Sequence, residues 1–223
     1  MSTASAIDRQ SGSTRMPHAT PVVFVVDDDI SVRESLELMI RSEGWKPITF
    51  ASAQEFLALP PVLTPSCLIL DVNLPDLNGL DLQKRIAADR VDMPIIFITG
   101  YGDVPTSVRA MKAGAAEFLT KPFNDEALLN ALRSAIQRSL GALEHETELR
   151  NLRKHYEMLS GREREVMALV VSGLMNKQVG GKLGISEITV KAHRGNVMRK
   201  MEAASLADLV NMAAALQIGR PGT

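Results

Sequence analysis

The feature that most constrains the fold is a strict alternation, from residue 21 to residue 138, of short apolar runs with amphipathic stretches, which then stops and never returns. Strands are expected at 22–26 (VVFVV), 46–50, 67–70 (CLIL), 94–99 (PIIFIT) and 115–119, and helices at 30–43, 52–59, 77–88, 103–112 and 124–138. Five strand and helix pairs imply an α/β fold, a doubly wound five-stranded parallel sheet covered on both faces. The runs at 22–26, 67–70 and 94–99 are nearly continuous in apolar residues, as central strands require. Functional groups are then expected at the carboxyl ends of the strands.

Past residue 158 only helical patterns remain. Ser160 with Glu163 forms a capping-box pattern opening a helix over 161–172, and Gly173 follows its end. Asn176 is read as the cap of a helix over 177–183 closed by Gly184, Ser186 as the cap of 187–202, and Ser205 with Asp208 as the opening of 206–217. Between the halves, residues 139–156 are charged and free of proline, with Leu149, Leu152, Tyr156 and Leu159 spaced 3, 4 and 3. They predict a helical linker with one apolar stripe, packed either on the following domain or on a second chain. The Ser-, Thr- and Ala-rich residues 1–20 read as a disordered tail, and 219–223 as a short one.

Charge divides the same way. Residues 21–138 carry sixteen Asp and Glu against eleven Lys and Arg, whereas 160–200 carry three against eight. An acidic front precedes a basic back. No run of about 18 apolar residues is present to span a bilayer, and the first twenty lack a signal peptide's apolar core. With Cys67 as the single cysteine, read as a buried structural thiol, a cytoplasmic protein without a membrane partner is expected.

The first strand runs into Asp27, Asp28 and Asp29, and the third ends at Asp71, so a parallel sheet gathers these carboxylates at one edge. Like charges this close repel unless a cation sits among them. Oxygen ligands that leave room for water suit Mg2+, or Mn2+, with Asp27, Asp28, Asp71 and the backbone carbonyl of Asn73 as the expected set. Thr99 ends the fourth strand and Lys121 follows the fifth, supplying a hydroxyl and an ammonium for phosphoryl oxygens. The chemistry reads as attack of the Asp71 carboxylate on an activated phosphorus to give an acyl phosphate. Singly, Asp29 reads as a helix cap, Thr99 as a strand-end hydroxyl and Lys121 as a solvated charge; agreement of four strand ends outweighs that for all but Asp29.

The segments VVDDD, LILDVNLPDLNGLDL and FITGYGDVPTSVRAMKAGAAEFLTKPF resemble the CheY-like receiver domain of two-component response regulators, over residues 21 to about 138. The resemblance implies strand order 2-1-3-4-5, phosphorylation of Asp71 by a sensor histidine kinase, Mg2+ on Asp27 and Asp28, and sensing by Thr99 and Lys121. It further implies a cis peptide before Pro122, a switch in which Thr99 shifts and Phe118 changes rotamer, and dimerisation through helices 103–112 and 124–138 with the strand between them.

In the basic half, a short helix, a tight turn at Gly184 and a longer helix follow the order of a helix-turn-helix. Val190, Val197 and Met201 fall on one side of the longer helix, with Ile185 available to the same core, while Lys191, Ala192, Gly195, Asn196 and Arg199 cover the remaining arc. REREV, NKQVGGKLGIS and TVKAHRGNVMRKM resemble the LuxR-type helix-turn-helix of NarL/FixJ-class regulators, over 157 to about 218. This implies a small all-α four-helix domain, DNA contacts from Lys191 and its neighbours, a phosphate contact from Lys177 and pairing through the last helix. Gly180 and Gly195 depart from the family pattern. Each interior glycine costs about 1 kcal/mol relative to alanine, and Gly195 leaves Thr189, Ala192 and Asn196 as base readers beside Lys191 and Arg199. His193 reads as a packing or phosphate-edge residue.

A transcription regulator switched by phosphorylation explains both halves; its expected partners are the kinase, promoter DNA, a second copy of the chain and RNA polymerase. An aspartate-nucleophile phosphohydrolase of the haloacid-dehalogenase kind would need a second carboxylate where Asn73 stands, so no enzyme beyond slow hydrolysis of its own aspartyl phosphate is expected. A phosphorylation-independent adaptor is disfavoured by the complete set Asp27, Asp28, Asp71, Thr99 and Lys121.

Overall fold

The computed structural model describes residues 19–87, 90, 93–100 and 102–218, so the tails read at 1–20 and 219–223 lie outside it but for residues 19 and 20. The chain divides into two compact units, Met1–Gly141 and Ala142–Thr223. The first is built on strands β1 (Val22–Val26), β2 (Lys46–Phe50), β3 (Ser66–Asp71), β4 (Ile95–Thr99) and β5 (Glu117–Thr120), all parallel, in the order β2-β1-β3-β4-β5.

Alternation along the strands sorts the helices. Phe24, Leu68, Leu70 and Phe97 face a cluster that takes in Ala53 and Phe56 of α2 (Ala53–Leu57), Leu82 and Ile86 of α3 (Gly79–Ile86) and Ala110 of α4 (Val104–Lys112). The intervening residues Val23, Val25, Ile69, Ile96 and Ile98 face Leu36 and Ile40 of α1 (Ile30–Ser42) and Leu128 and Leu132 of α5 (Asp125–Glu157). Cys67 is wholly buried there, and burial pushes its thiol far above the ordinary range.

Strand β5 begins two residues later than the apolar pattern suggests. Ala115 is still closing α4, its N–H bonded to the Ala110 carbonyl after Gly114 at φ +91°. The helix expected at 124–138 and the linker helix expected at 139–156 form one helix, since nothing between them breaks it. Ser139 is buried in the first unit, where its Oγ accepts from the Ser66 N–H at 3.0 Å.

The second unit comprises the end of α5 with α6 (Gly161–Val171), α7 (Asn176–Leu183), α8 (Glu187–Lys200) and α9 (Leu206–Ala215). Leu152, Tyr156 and Leu159, three of the four residues of the linker stripe, join Met167, Val197, Met201 and Leu209 in one cluster of their own unit. Val166, Val170, Val179 and Val190 form a second cluster, with Ile185 against it.

The expected cap of α7 needs correction. Asn176 is the first helical residue and its Oδ1 accepts from Arg194, while the Gln178 side chain accepts from the Met175 N–H at 2.8 Å. Gly180 also has a role beyond weakening a helix. A Cβ there would stand 2.7 Å from the Ile185 carbonyl oxygen, so its absence lets α7 lie against the turn into α8.

Candidate functional site

Sheet register assembles the site. Val26 pairs with Leu70, Asp71 with Ile98 and Thr99 with Thr120, so Asp27, Asp71, Thr99 and Lys121 all emerge at the same edge. One carboxylate oxygen from each of Asp27, Asp28 and Asp71 lies within 4.8 Å of the others. Asp27 and Asp71 are buried and Asp28 is exposed. Three hard oxygen donors, one of them open to water, suit a divalent ion that keeps part of its hydration.

The hydrogen bonds orient each group. Asp27 Oδ1 accepts from the Asp29 N–H and Asp71 Oδ1 from the Asn73 N–H, both at 2.9 Å. The other oxygens face Lys121, whose Nζ lies 2.7 Å from Asp27 Oδ2 and 2.8 Å from Asp71 Oδ2. Arg33 fastens the strand end from beneath, donating to the carbonyls of Asp27 and Asp28. Burial raises the Asp27 carboxyl above the usual range against the opposing pull of Lys121. Burial draws the Lys121 ammonium down, but its bonds to Asp27 and Asp71 outweigh that and leave it raised. The Lys121–Pro122 peptide is cis. Buried Thr99 receives the Asn73 Nδ2 at 3.4 Å, and half-buried Phe118 lies 6.2 Å from the Phe97 ring. Asp29 caps α1, accepting from the Ser31 N–H, as expected from the sequence.

Gly79 is a positioning residue that sequence reasoning passed over. Its N–H bonds the Val72 carbonyl, and a Cβ on it would stand 2.5 Å from the Asp71 carbonyl oxygen and 3.0 Å from Val72 Cα. Only its place inside the LNGLDL turn hinted at this. Both obstructing atoms are backbone, so Gly79→Ala is expected to cost about 1–3 kcal/mol in urea denaturation and to slow phosphodonor labelling; unchanged values on both counts would remove Gly79 from the site.

In the second unit, α8 buries Val190 and Val197 and leaves Lys191, Ala192, Gly195 and Arg199 exposed, with Lys177 exposed on α7. The remaining expected readers are partly committed. Thr189 is half-buried with its hydroxyl 2.8 Å from Ser186 Oγ, and Asn196 Oδ1 accepts from Arg199 at 3.2 Å. His193 is half-buried.

Behind this face, Lys200 donates to buried Glu163 at 2.6 Å and so serves packing rather than ligand contact. That bond, with the Ser160 N–H, holds the Glu163 carboxyl at about 2, below the usual 4.5. A lowered folded value means that the stabilisation is full above about pH 4.5 and fades as pH falls towards 2. Glu163→Gln is therefore expected to cost on the order of 2 kcal/mol at neutral pH. The difference from wild type should shrink steadily in urea titrations at pH 4 and 3; a pH-independent difference contradicts the pairing.

Comparison with known proteins agrees with this geometry. Residues 23–133 match the response regulator receiver domain, and 157–213 match the bacterial regulatory proteins of the luxR family. Nodulation protein W of Bradyrhizobium diazoefficiens is 52% identical over 197 residues, covering 88% of this chain and 87% of that protein. Transcriptional regulatory protein FixJ of Azorhizobium caulinodans is 44% identical over 198 residues, covering 89% and 93%. The solved structure of the response regulator StyR aligns with a TM-score of 0.79 at 45% identity, covering 88% of this chain and 99% of that one. No helix among the described residues is long and apolar enough to cross a membrane. The chain therefore belongs to the NarL/FixJ-class response regulators, DNA-binding transcription regulators rather than enzymes, with a receiver followed by a LuxR-type helix-turn-helix.

Proposed function

We propose that this regulator is switched on by transfer of a phosphoryl group from a histidine kinase to Asp71, and that the switched form binds promoter DNA as a dimer. In this reading residues 21–138 are the receiver, 139–156 the linker and 157–218 the DNA-binding domain of a cytoplasmic protein. The observation that carries it is the placement of Lys121 Nζ between Asp27 and Asp71 beside the three-carboxylate cluster.

Asp71 keeps Oδ1 on the Asn73 N–H and turns Oδ2 towards the ammonium. An Asp71 carboxylate oxygen attacks phosphorus, the P–O bond forms as the P–N bond of a phosphohistidine breaks, and the electron pair returns to the imidazole. Mg2+ or Mn2+, held by Asp27, Asp28, Asp71 and the Asn73 carbonyl, supplies charge neutralisation when bound. Lys121 moves from pairing carboxylates to pairing a phosphoryl oxygen, and the Thr99 hydroxyl supplies a second contact, with Phe118 following it as the switch.

Dimerisation through α4, β5 and α5 is supported by Val104, Val108 and Met111, which stay exposed on α4, and pairing through α9 by exposed Leu206 and Val210. Lys177, Lys191 and Arg199 meet phosphates, Thr189, Ala192 and Asn196 lie at the bases, and RNA polymerase is engaged at the bound promoter. Sedimentation velocity in Mg2+, with and without phosphoramidate, tests the switch. A donor-dependent shift from monomer to dimer is the expected result; phosphorylation proven by intact mass without any shift would discard the dimer step.

A further inference from the structure

The exposed face of α8 is an ordered series: Ile188, Lys191, Ala192, Gly195 and Arg199, spaced 3, 1, 3 and 4, all on one side of the helix. Ile188 is 80% exposed, more than any other large hydrophobic residue among those described. A β-branched side chain in water on a helix gains nothing in packing and loses rotamer freedom. Each neighbouring polar residue has an atom engaged close by. The Thr189 hydroxyl lies against Ser186, Asn196 Oδ1 accepts from Arg199, and Glu187 pairs with Lys191 at 3.3 Å. Ala192 adds only a methyl and Gly195 nothing. The start of this face thus presents apolar surface, framed by Lys191 and Arg199.

Those cations, and the excess of eight basic over three acidic residues in 160–200, select a polyanion as the occupant. The one apolar group on a base edge in the major groove is the C5-methyl of thymine. We propose that Ile188, with Ala192 one turn further on, packs against a thymine methyl and so specifies an A·T pair in each half-site. The proposal rests on the DNA-binding reading of α8 and adds to it a residue that reads sequence by contact rather than by hydrogen bonding.

The test uses full-length protein with Mg2+ and phosphoramidate to select duplexes from a random-sequence pool. Each thymine of the selected duplex is then replaced singly by uracil, which removes only the methyl. Wild type is expected to bind about fourfold more weakly with uracil at one position per half-site, the equivalent of one buried methyl. Ile188→Ala is expected to show no uracil penalty at that position, while Ile188→Val keeps most of it. Uracil without effect at every position, or a penalty undiminished in Ile188→Ala, overturns the role of Ile188 while leaving DNA binding intact. Failure to enrich any sequence overturns the DNA-binding reading and this inference with it.

Discussion

Asp71→Asn is expected to abolish labelling by phosphoramidate completely, with intact mass showing no phosphorylated species and sedimentation showing no donor-dependent change. The amide keeps the size of the carboxylate and the contact with the Asn73 N–H, but it has no charged oxygen to attack phosphorus. It also removes one of the three carboxylates gathered at the strand ends, so the folded state loses repulsion while the reaction loses its nucleophile. Loss of labelling without loss of stability is the signature sought. Residual labelling at the wild-type rate would place the acceptor elsewhere.

Lys121→Ala should have the largest effect on stability among the site residues. Asp27 is fully buried and Asp71 nearly so, and the ammonium at 2.7 and 2.8 Å is the cation held between them. Removing one partner of a buried pair leaves the other charge uncompensated, a cost of about 3–5 kcal/mol, reduced here towards 3 because the Lys121 side chain is 21% exposed. Urea denaturation in a chelator is expected to show that loss, and millimolar Mg2+ to restore most of it by returning positive charge to the cluster. Equal stability of variant and wild type in the chelator would mean that solvent already screens the two carboxylates.

Much of the receiver's site was legible because a parallel sheet converts positions in sequence into positions in space. Four of the apolar runs lead into a residue that emerges at the functional edge, so the alignment of Asp27, Asp71, Thr99 and Lys121 follows from their positions in the sequence. The start of β5 was less legible, since Ala115 is as apolar as a strand residue yet closes α4 through the Ala110 carbonyl, while the Ala116 N–H already bonds Ile95 of β4 just ahead of the strand. Asn176 has a capping side chain, but the helix starts one residue earlier than that reading requires, with Met175 at the cap position, its N–H held by Gln178 Oε1, and Asn176 Oδ1 turned to Arg194. Gly79 was invisible for a different reason: what matters there is the absence of an atom beside the backbone of another segment, and no pattern along the chain records that. On α8 the periodicity separated core from surface correctly. It could not show that the Thr189 hydroxyl and Asn196 Oδ1 each bond a neighbour three residues away.

Helix α8 stands between two small clusters, giving Val190 to one and Val197 to the other, which Met201 at its C-cap also joins. Neither cluster closes without it, so the helix proposed to face DNA is also the partition wall of its unit. Local fraying of that wall opens both cores at once, which makes its unfolding an all-or-none event rather than a gradual one. The reading surface is consequently either whole or gone, and a mutation in either core lowers the fraction of competent molecules without altering which sequence the survivors prefer.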